Sequence, residues 1–398
     1  MSNMKRSMRR VFWLLALCFF LLLGYLGKLV FVDREEISGN SYNSRLRYVD
    51  ETIKRGDILD REGEVIATST RQEDGTYKRE YPRGRMAAHI TGYSSVGKTG
   101  VEAAENFELM KLHNELFQRV SSVVRKTELQ GNSVALTMDM DIQTTAGNLL
   151  GSAKGAIVVM EPSTGRILAL QAYPDFDPNT VEAQWDTLKE DADSPLVNRA
   201  TQGLYPPGST FKIVTMASAL ENLPDAETRT WNCTGSIQVG EETITCSGVH
   251  GEQTLKEAFA HSCNAAFAQI AEELGADTLR RYTEKAGLTS AYSVDGLPTA
   301  KGTFNWDGIT AGQLGWAGVG QGQDQVNPCA MMCYMGAIAN GGKAAKPYLI
   351  EKTVSPLGLP SLPRLNGKTS QLIASDTAEI LAEMMAQNVQ KTYGTGRF

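Results

Sequence analysis

The sequence predicts an α+β fold, with a central antiparallel sheet flanked by helices, behind a small β-rich segment and one membrane-spanning helix. Three observations point there. Residues 156–173, AIVVMEPSTGRILALQAY, form two apolar β runs around Pro162-Ser163-Thr164-Gly165, which reads as a hairpin. Apolar helical periodicity then dominates over 209–222, 254–261, 264–274, 276–286 and 326–340. Residues 11–27, VFWLLALCFFLLLGYLG, carry no charge. Strand, helix and hairpin followed by a helical block is the pattern of an α+β domain.

Composition bounds the function classes. A chain of 398 residues suggests two or three domains. With 42% hydrophobic and 21% charged residues it is neither disordered, nor collagen-like, nor a polytopic membrane protein. A net charge of −6 excludes a general basic field for gripping nucleic acid. Four His and six Cys are too few and too scattered for a zinc finger or a disulfide scaffold.

From the amino end, Lys5, Arg6, Arg9 and Arg10 precede the uncharged run, and Asp33, Arg34, Glu35 and Glu36 follow it. With Lys28 snorkelling, the span is read as 11–32, leaving 1–10 in the cytoplasm and everything after 32 outside. A cleaved signal peptide is the alternative; the run exceeds the usual ~7–15 residues, and no small-x-small site follows it cleanly.

Residues 33–133 are polar and irregular and read as a pedestal, with 134–398 as the main domain. In 54–69, KRGDILDREGEVIATS, a short strand, a turn at Arg61-Glu62-Gly63 and a second strand are expected. Residues 101–126 read as helix, 131–139 as strand and 141–150 as helix. Cys233 and Cys246 flank the hairpin-like CTGSIQVGEETITC, where a disulfide is one option; Cys329 and Cys333 read as buried thiols.

The chemistry centres on YPPGSTFKIVTMASALE, residues 205–221. Pro206-Pro207-Gly208 breaks the chain, so a helix opens at or near Ser209. Lys212 lies one turn down the same face, among Ile213, Val214, Met216, Ala217 and Leu220. A lysine in apolar surroundings without a carboxylate has a lowered pKa, and a neutral amine beside a hydroxyl is a nucleophile–base pair. Ser-x-x-Lys also occurs at Ser2–Lys5 and Ser95–Lys98, but without a buried helix. The bland reading of Ser209 is a helix cap with a snorkelling lysine.

A second element, LKEAFAHSCNAAFAQIAEELG (255–275), reads as two helices meeting at Ser262-Cys263-Asn264. Polar Ser262 and Asn264 interrupt an apolar stretch; Ser38–Asn40 and Ser41–Asn43 share the spacing near the membrane. A buried turn satisfying its own polar groups is the bland reading. The functional one has Ser262 relaying a proton between Lys212 and a leaving group, while Asn264 holds a substrate amide.

In combination the chain resembles the class B penicillin-binding proteins, monofunctional D,D-transpeptidases whose motif set includes Ser-x-x-Lys and Ser-x-Asn. The resemblance runs through RGDILDREGEVIA (55–67), YPRGRMAAHITGY (81–93), GAIVVMEPSTGRILALQAYPDFDPN (155–179), NRATQGLYPPGSTFK (198–212), HSCN (261–264), GQGQDQVNP (320–328) and ANGG (339–342). The compact pedestal looks most like the short enzymes of Gram-positive bacteria. The resemblance implies the penicillin-binding transpeptidase, or serine β-lactamase-like, fold. It implies Ser209 as acylated nucleophile, Lys212 as general base, Ser262 as proton relay and Asn264 as a substrate-binding side chain. It also implies peptidoglycan stem peptides and β-lactams as ligands, and partners among glycosyltransferases and the divisome or elongasome. No cofactor or metal is implied.

One departure stands out. The family's Lys-Thr-Gly follows the second motif, whereas here the triplet occurs at Lys98-Thr99-Gly100, in the pedestal, and reads as a decoy. QNVQKTYGTGRF (387–398) resembles the run just before that motif. The sequence as given is therefore expected to lack the strand supplying a second oxyanion donor and to be crippled, since one donor is worth around 10²–10³ in rate. Two alternatives remain open: a penicillin receptor or β-lactamase relative, and a non-enzymatic scaffold of the cell-wall machinery.

Overall fold

A computed structural model describes residues 2–31, 53–110, 130–361 and 369–390. Helix α1 covers Ser2–Phe31, and its large apolar side chains from Val11 to Leu26 are exposed. Among the described residues no helix is long and apolar enough to cross a membrane. Ser38, Asn40, Ser41 and Asn43 lie outside the described residues, as do 111–129 and 391–398.

The pedestal begins with β1 (Ile58–Leu59), β2 (Val65–Arg71) and β3 (Tyr77–Glu80). The expected turn is built by Asp60, whose carboxylate accepts the N–H groups of Glu62 and Glu64. Short helices α2 (Ala88–Thr91), α3 (Gly100–Ala104) and α4 (Asn106–Met110) follow. The single amphipathic helix read over 101–126 is thus broken at Glu105 as far as Met110. Glu102 is fully buried there between the guanidinium groups of Arg55 and Arg79, at 2.5 and 2.7 Å.

Next come β4 (Ser133–Leu136), α5 (Met140–Leu150), β5 (Gly155–Met160) and β6 (Ile167–Tyr173). Asp139 caps α5 by accepting from the N–H groups of Asp141 and Ile142. The expected hairpin forms, with β5 antiparallel to β6 from Gly155↔Tyr173 to Met160↔Ile167.

The helical block contains α6 (Val181–Glu190), α7 (Arg199–Gln202), a 3₁₀ turn at Gly208–Phe211 and α8 (Lys212–Asn222). Four short strands follow: β7 (Thr230–Cys233), β8 (Ser236–Val239), β9 (Glu242–Thr245) and β10 (Gly251–Thr254). Helices α9 (Leu255–Ala260), α10 (Asn264–Leu274) and α11 (Ala276–Lys285) come next. The remainder is β11 (Ser293–Val294), β12 (Leu297–Pro298), α12 (Ala311–Val319), α13 (Pro328–Ala339), β13 (Lys343–Ala345), β14 (Ile350–Val354), β15 (Thr369–Gln371) and α14 (Ser375–Gln390). The helix starts follow from sequence: Thr254 and Glu257 make a capping box at α9, Thr310 and Gln313 make one at α12, and Asn327 caps α13 ahead of Pro328.

Among the described residues the largest sheet has the order β14-β4-β1-β2-β3, with β4 parallel to β1 and the other pairs antiparallel. It draws strands from both sides of residue 134. The central antiparallel sheet expected of the main domain is represented by the β5–β6 hairpin, which meets the β14 side through a bridge between Arg166 and Tyr348. Among the described residues two apolar cores are the largest. One packs Ile58, Ile66, Leu136, Ile167, Leu170 and Ile350 between pedestal and hairpin. The other wraps α8 in α10, α11, α13 and α14, with Phe211, Phe267, Leu279, Tyr334 and Leu381 at its centre. Cys329 and Cys333 are buried free thiols on α13, as their spacing on an apolar helix predicts.

Candidate active site

The turn ahead of α8 is fixed by glycines. Gly208 adopts φ +56°, and its N–H donates to Gly320 O at 2.9 Å. Gly320 has φ +81°, and a Cβ there would lie 2.1 Å from Gly208 O. Only glycine lets the 320–322 loop approach this closely. The sequence placed a helix start at Ser209; the structure puts Ser209 inside a 3₁₀ turn, with the α-helix beginning at Lys212. The N-cap positions belong to Pro207 and Phe211, so Ser209 is not a helix cap. Its side chain is exposed, whereas every residue from Lys212 to Ala219 is buried.

Lys212 is 1% exposed. Its Nζ lies 3.2 Å from Ser209 Oγ, 2.6 Å from Ser262 O, 2.9 Å from Ser262 Oγ and 2.7 Å from Asn264 Oδ1. It also stands 5.7 Å above the Phe267 ring. All four oxygens are uncharged. Burial lowers its pKa to about 8, partly opposed by the sulfurs of Cys246 and Cys263. A neutral amine suits this arrangement: two N–H groups serve Ser262 O and Asn264 Oδ1, and the lone pair faces the two hydroxyls. Such an amine can accept a proton from either hydroxyl.

Ser262 and Asn264 are delivered by the turn between α9 and α10. Ser262 has φ +50°, a left-handed conformation unusual for a side-chain-bearing residue. Asn264 is engaged at both ends of its amide, since Nδ2 donates to Thr245 O at 2.9 Å. One further N–H of that group is available for a substrate carbonyl. The four residues expected from sequence therefore converge on one amine.

Lys98-Thr99-Gly100 lies in the pedestal, with Thr99 at the N-cap of α3. Sequence reading missed two features near the site. Asp324, in the GQGQDQVNP run, is 4% exposed, and burial raises its carboxyl pKa to about 7. The other is a cluster. Cys233 and Cys246 are free thiols rather than a disulfide, and with His250 and Cys263 their ligand atoms all lie within 4.8 Å of one another. The cysteines judged too scattered for a metal are 13, 4 and 13 residues apart with the histidine between them. The β8–β9 hairpin folds them together, which linear spacing does not reveal.

Comparison with known proteins matches residues 155–398 to the penicillin-binding protein transpeptidase domain and residues 55–134 to the penicillin-binding protein A dimerisation domain. The peptidoglycan D,D-transpeptidase PbpA of Mycolicibacterium smegmatis is 30% identical over 378 residues, covering 89% of this chain and 76% of that protein. Its Mycobacterium tuberculosis counterpart is 33% identical over 379 residues, with the same shares covered. Among solved structures, an imipenem acyl-enzyme complex of M. tuberculosis penicillin-binding protein A superposes with a TM-score of 0.80 at 30% identity, over 85% of this chain and 83% of that one. The D,D-transpeptidase domain of an Eggerthella lenta peptidoglycan glycosyltransferase gives 0.76 at 32% identity, over 85% and 82%. With a buried lysine against an exposed serine, and a dimerisation domain ahead of the transpeptidase domain, the chain belongs to the class B penicillin-binding proteins.

Proposed function

We propose that this protein is a peptidoglycan D,D-transpeptidase that cross-links stem peptides through an acyl-enzyme on Ser209, and that penicillins acylate the same residue. The observation that carries this is the buried Lys212 amine, 3.2 Å from Ser209 Oγ and held by Ser262 and Asn264. Ser209 Oγ attacks the carbonyl carbon of the penultimate D-alanine as its proton passes to Lys212 Nζ. The backbone N–H of Ser209 faces the oxyanion. The tetrahedral intermediate expels the terminal D-alanine, whose amine takes the proton through Ser262. An amine from a neighbouring stem then attacks the ester and returns a proton to Ser209 by the same route. Asn264 holds the substrate peptide.

The chain divides into a cytoplasmic tail (1–10), an anchor (11–32), a pedestal (33–133) and the transpeptidase domain (134–398). Supporting the anchor, the uncharged run 11–27 follows Lys5, Arg6, Arg9 and Arg10 and precedes Asp33, Glu35 and Glu36. The catalytic domain then stands outside the cell membrane, where glycosyltransferase partners of the divisome or elongasome also work.

The test is labelling of the full-length protein with a fluorescent penicillin, with Ser209→Ala as control. A stable, Ser209-dependent label supports the proposal. Rapid loss of the label identifies a β-lactamase, and absence of label, with the same chain extended at its carboxyl end also silent, identifies a non-enzymatic scaffold.

A further inference from the structure

We propose that Cys233, Cys246, His250 and Cys263 form a structural zinc site that fixes the turn carrying Ser262 and Asn264. Three sulfurs and one imidazole are a common tetrahedral zinc set. Around such an ion, with Zn–S about 2.3 Å and Zn–N about 2.0 Å, two sulfurs stand about 3.8 Å apart and a sulfur and a nitrogen about 3.5 Å. Here Cys246 Sγ and Cys263 Sγ are 3.7 Å apart, and His250 Nδ1 is 3.6 Å from both Cys233 Sγ and Cys246 Sγ. The spacing is that of ligands around one shared ion.

A disulfide explains this arrangement less well. It would bring two sulfurs to about 2.05 Å and leave the third sulfur and the imidazole without a role. Two N–H donors also face one of these sulfurs. Gln253 Nε2 donates to Cys263 Sγ at 2.9 Å, and the Ala266 N–H, in the first turn of α10, approaches the same sulfur at 3.4 Å. The His250 ring stacks on His261 with centroids 4.7 Å apart and planes at 5°. His261 Nδ1 lies 3.1 Å from Gln253 Oε1. Gln253, 2% exposed, thus ties the imidazole pair to the cysteine, the outer support that metal ligands ordinarily have.

Binding needs no redox chemistry. Three thiol protons leave, His250 coordinates through Nδ1 as a neutral ring, and the site carries one net negative charge. Soft sulfur and imidazole ligands select zinc over calcium or magnesium. The ligands come from the end of β7, the segment after β9, the approach to β10 and the N-cap of α10. The ion therefore clamps the β8–β9 hairpin and the β7–β10 pair to the start of α10. Cys263 sits between the two residues that hold Lys212, and its neighbour Ser262 is in a strained left-handed conformation that must be held from outside. The four ligands are positioning residues, acting through Ser262 and Asn264. This half of the proposal rests on the acyl-transfer reading; the metal content does not.

The experiment is elemental analysis of the full-length protein, purified without chelator, together with penicillin labelling. We expect about one zinc per chain. Cobalt substitution should give the visible bands of a tetrahedral thiolate site. Cys246→Ser should lose the metal and acylate on the order of 10- to 100-fold more slowly. His250→Cys, which keeps four ligands, should retain zinc and acylation while shifting the cobalt spectrum. Should Cys246→Ser fail to fold, removing zinc from the wild type with a chelator and restoring it provides the same reading. A chain without metal, whose three thiols are reactive or which has lost two mass units to a disulfide, overturns the site. Zinc that can be removed without slowing acylation overturns its positioning role, and loss of labelling in Ser209→Ala still identifies the nucleophile independently.

Discussion

The Lys212 amine lies 2.6 Å from the main-chain carbonyl of Ser262, closer than the 3.2 Å that separates it from the Ser209 hydroxyl. The amine is thus held by the backbone of the turn between α9 and α10 rather than by an ionised partner. Its four oxygen neighbours are uncharged, so the loss of water that disfavours the ammonium form is offset only in part, by the sulfurs of Cys246 and Cys263.

The pH dependence of acylation follows. With the Lys212 pKa lowered by burial to about 8, the neutral amine accumulates as pH rises through that value. The rate of Ser209 acylation by a fluorescent penicillin should rise between pH 6 and 8 and level off above. Lys212→Ala should lower it by on the order of 10²–10⁴. A flat profile between pH 6 and 9.5 would contradict the role given to Lys212.

Ser262 separates catalysis from stability. At φ +50° it is strained, and glycine accepts that conformation freely. Ser262→Gly should leave thermal stability unchanged or raise it by up to about 1 kcal/mol, while slowing acylation by on the order of 10². Thermal denaturation and labelling of one sample decide the matter, since a strained but idle residue would show no loss of rate.

Glu102 is the electrostatic anchor of the pedestal. Burial pushes its carboxyl up, but the guanidinium groups of Arg55 and Arg79 outweigh this and hold it below its ordinary value. The stability this contributes is present above the unfolded pKa near 4.5 and is lost as pH falls through the lower folded value. Glu102→Gln removes the carboxylate that the two guanidinium groups share and should destabilise the protein by about 3–5 kcal/mol in urea titration at pH 7.

Asp324 shows the opposite sign. Burial raises its pKa to about 7, and Oδ2 has no hydrogen-bond partner among the described residues. The folded state holds a proton that the unfolded state releases near pH 4, so this residue lowers stability as pH rises from 4 to 7. Asp324→Asn should remove that slope and stabilise the protein by about 1–2 kcal/mol at pH 8, measured by chemical denaturation at several pH values.

Local chemistry wrote much of this into the chain. The β5–β6 hairpin, the helices at 212–222, 264–274 and 276–285, and the one-turn spacing of Ser209 and Lys212 depend on periodicity and breakers within a few residues of one another. Apolar neighbours of Lys212 were enough to foresee its lowered pKa. Long-range assembly was not legible. Ser262 lies 50 residues from Lys212, and only the packing of α10 against α8 brings it to the amine. The 3₁₀ turn under Ser209 is set by contact with Gly320, 111 residues away, and the break between α3 and α4 lies beside the buried Glu102 ion pairs. The sulfur cluster illustrates the limit most clearly, because a ligand set is defined by distances between side-chain tips, which a folded hairpin creates and a linear spacing does not.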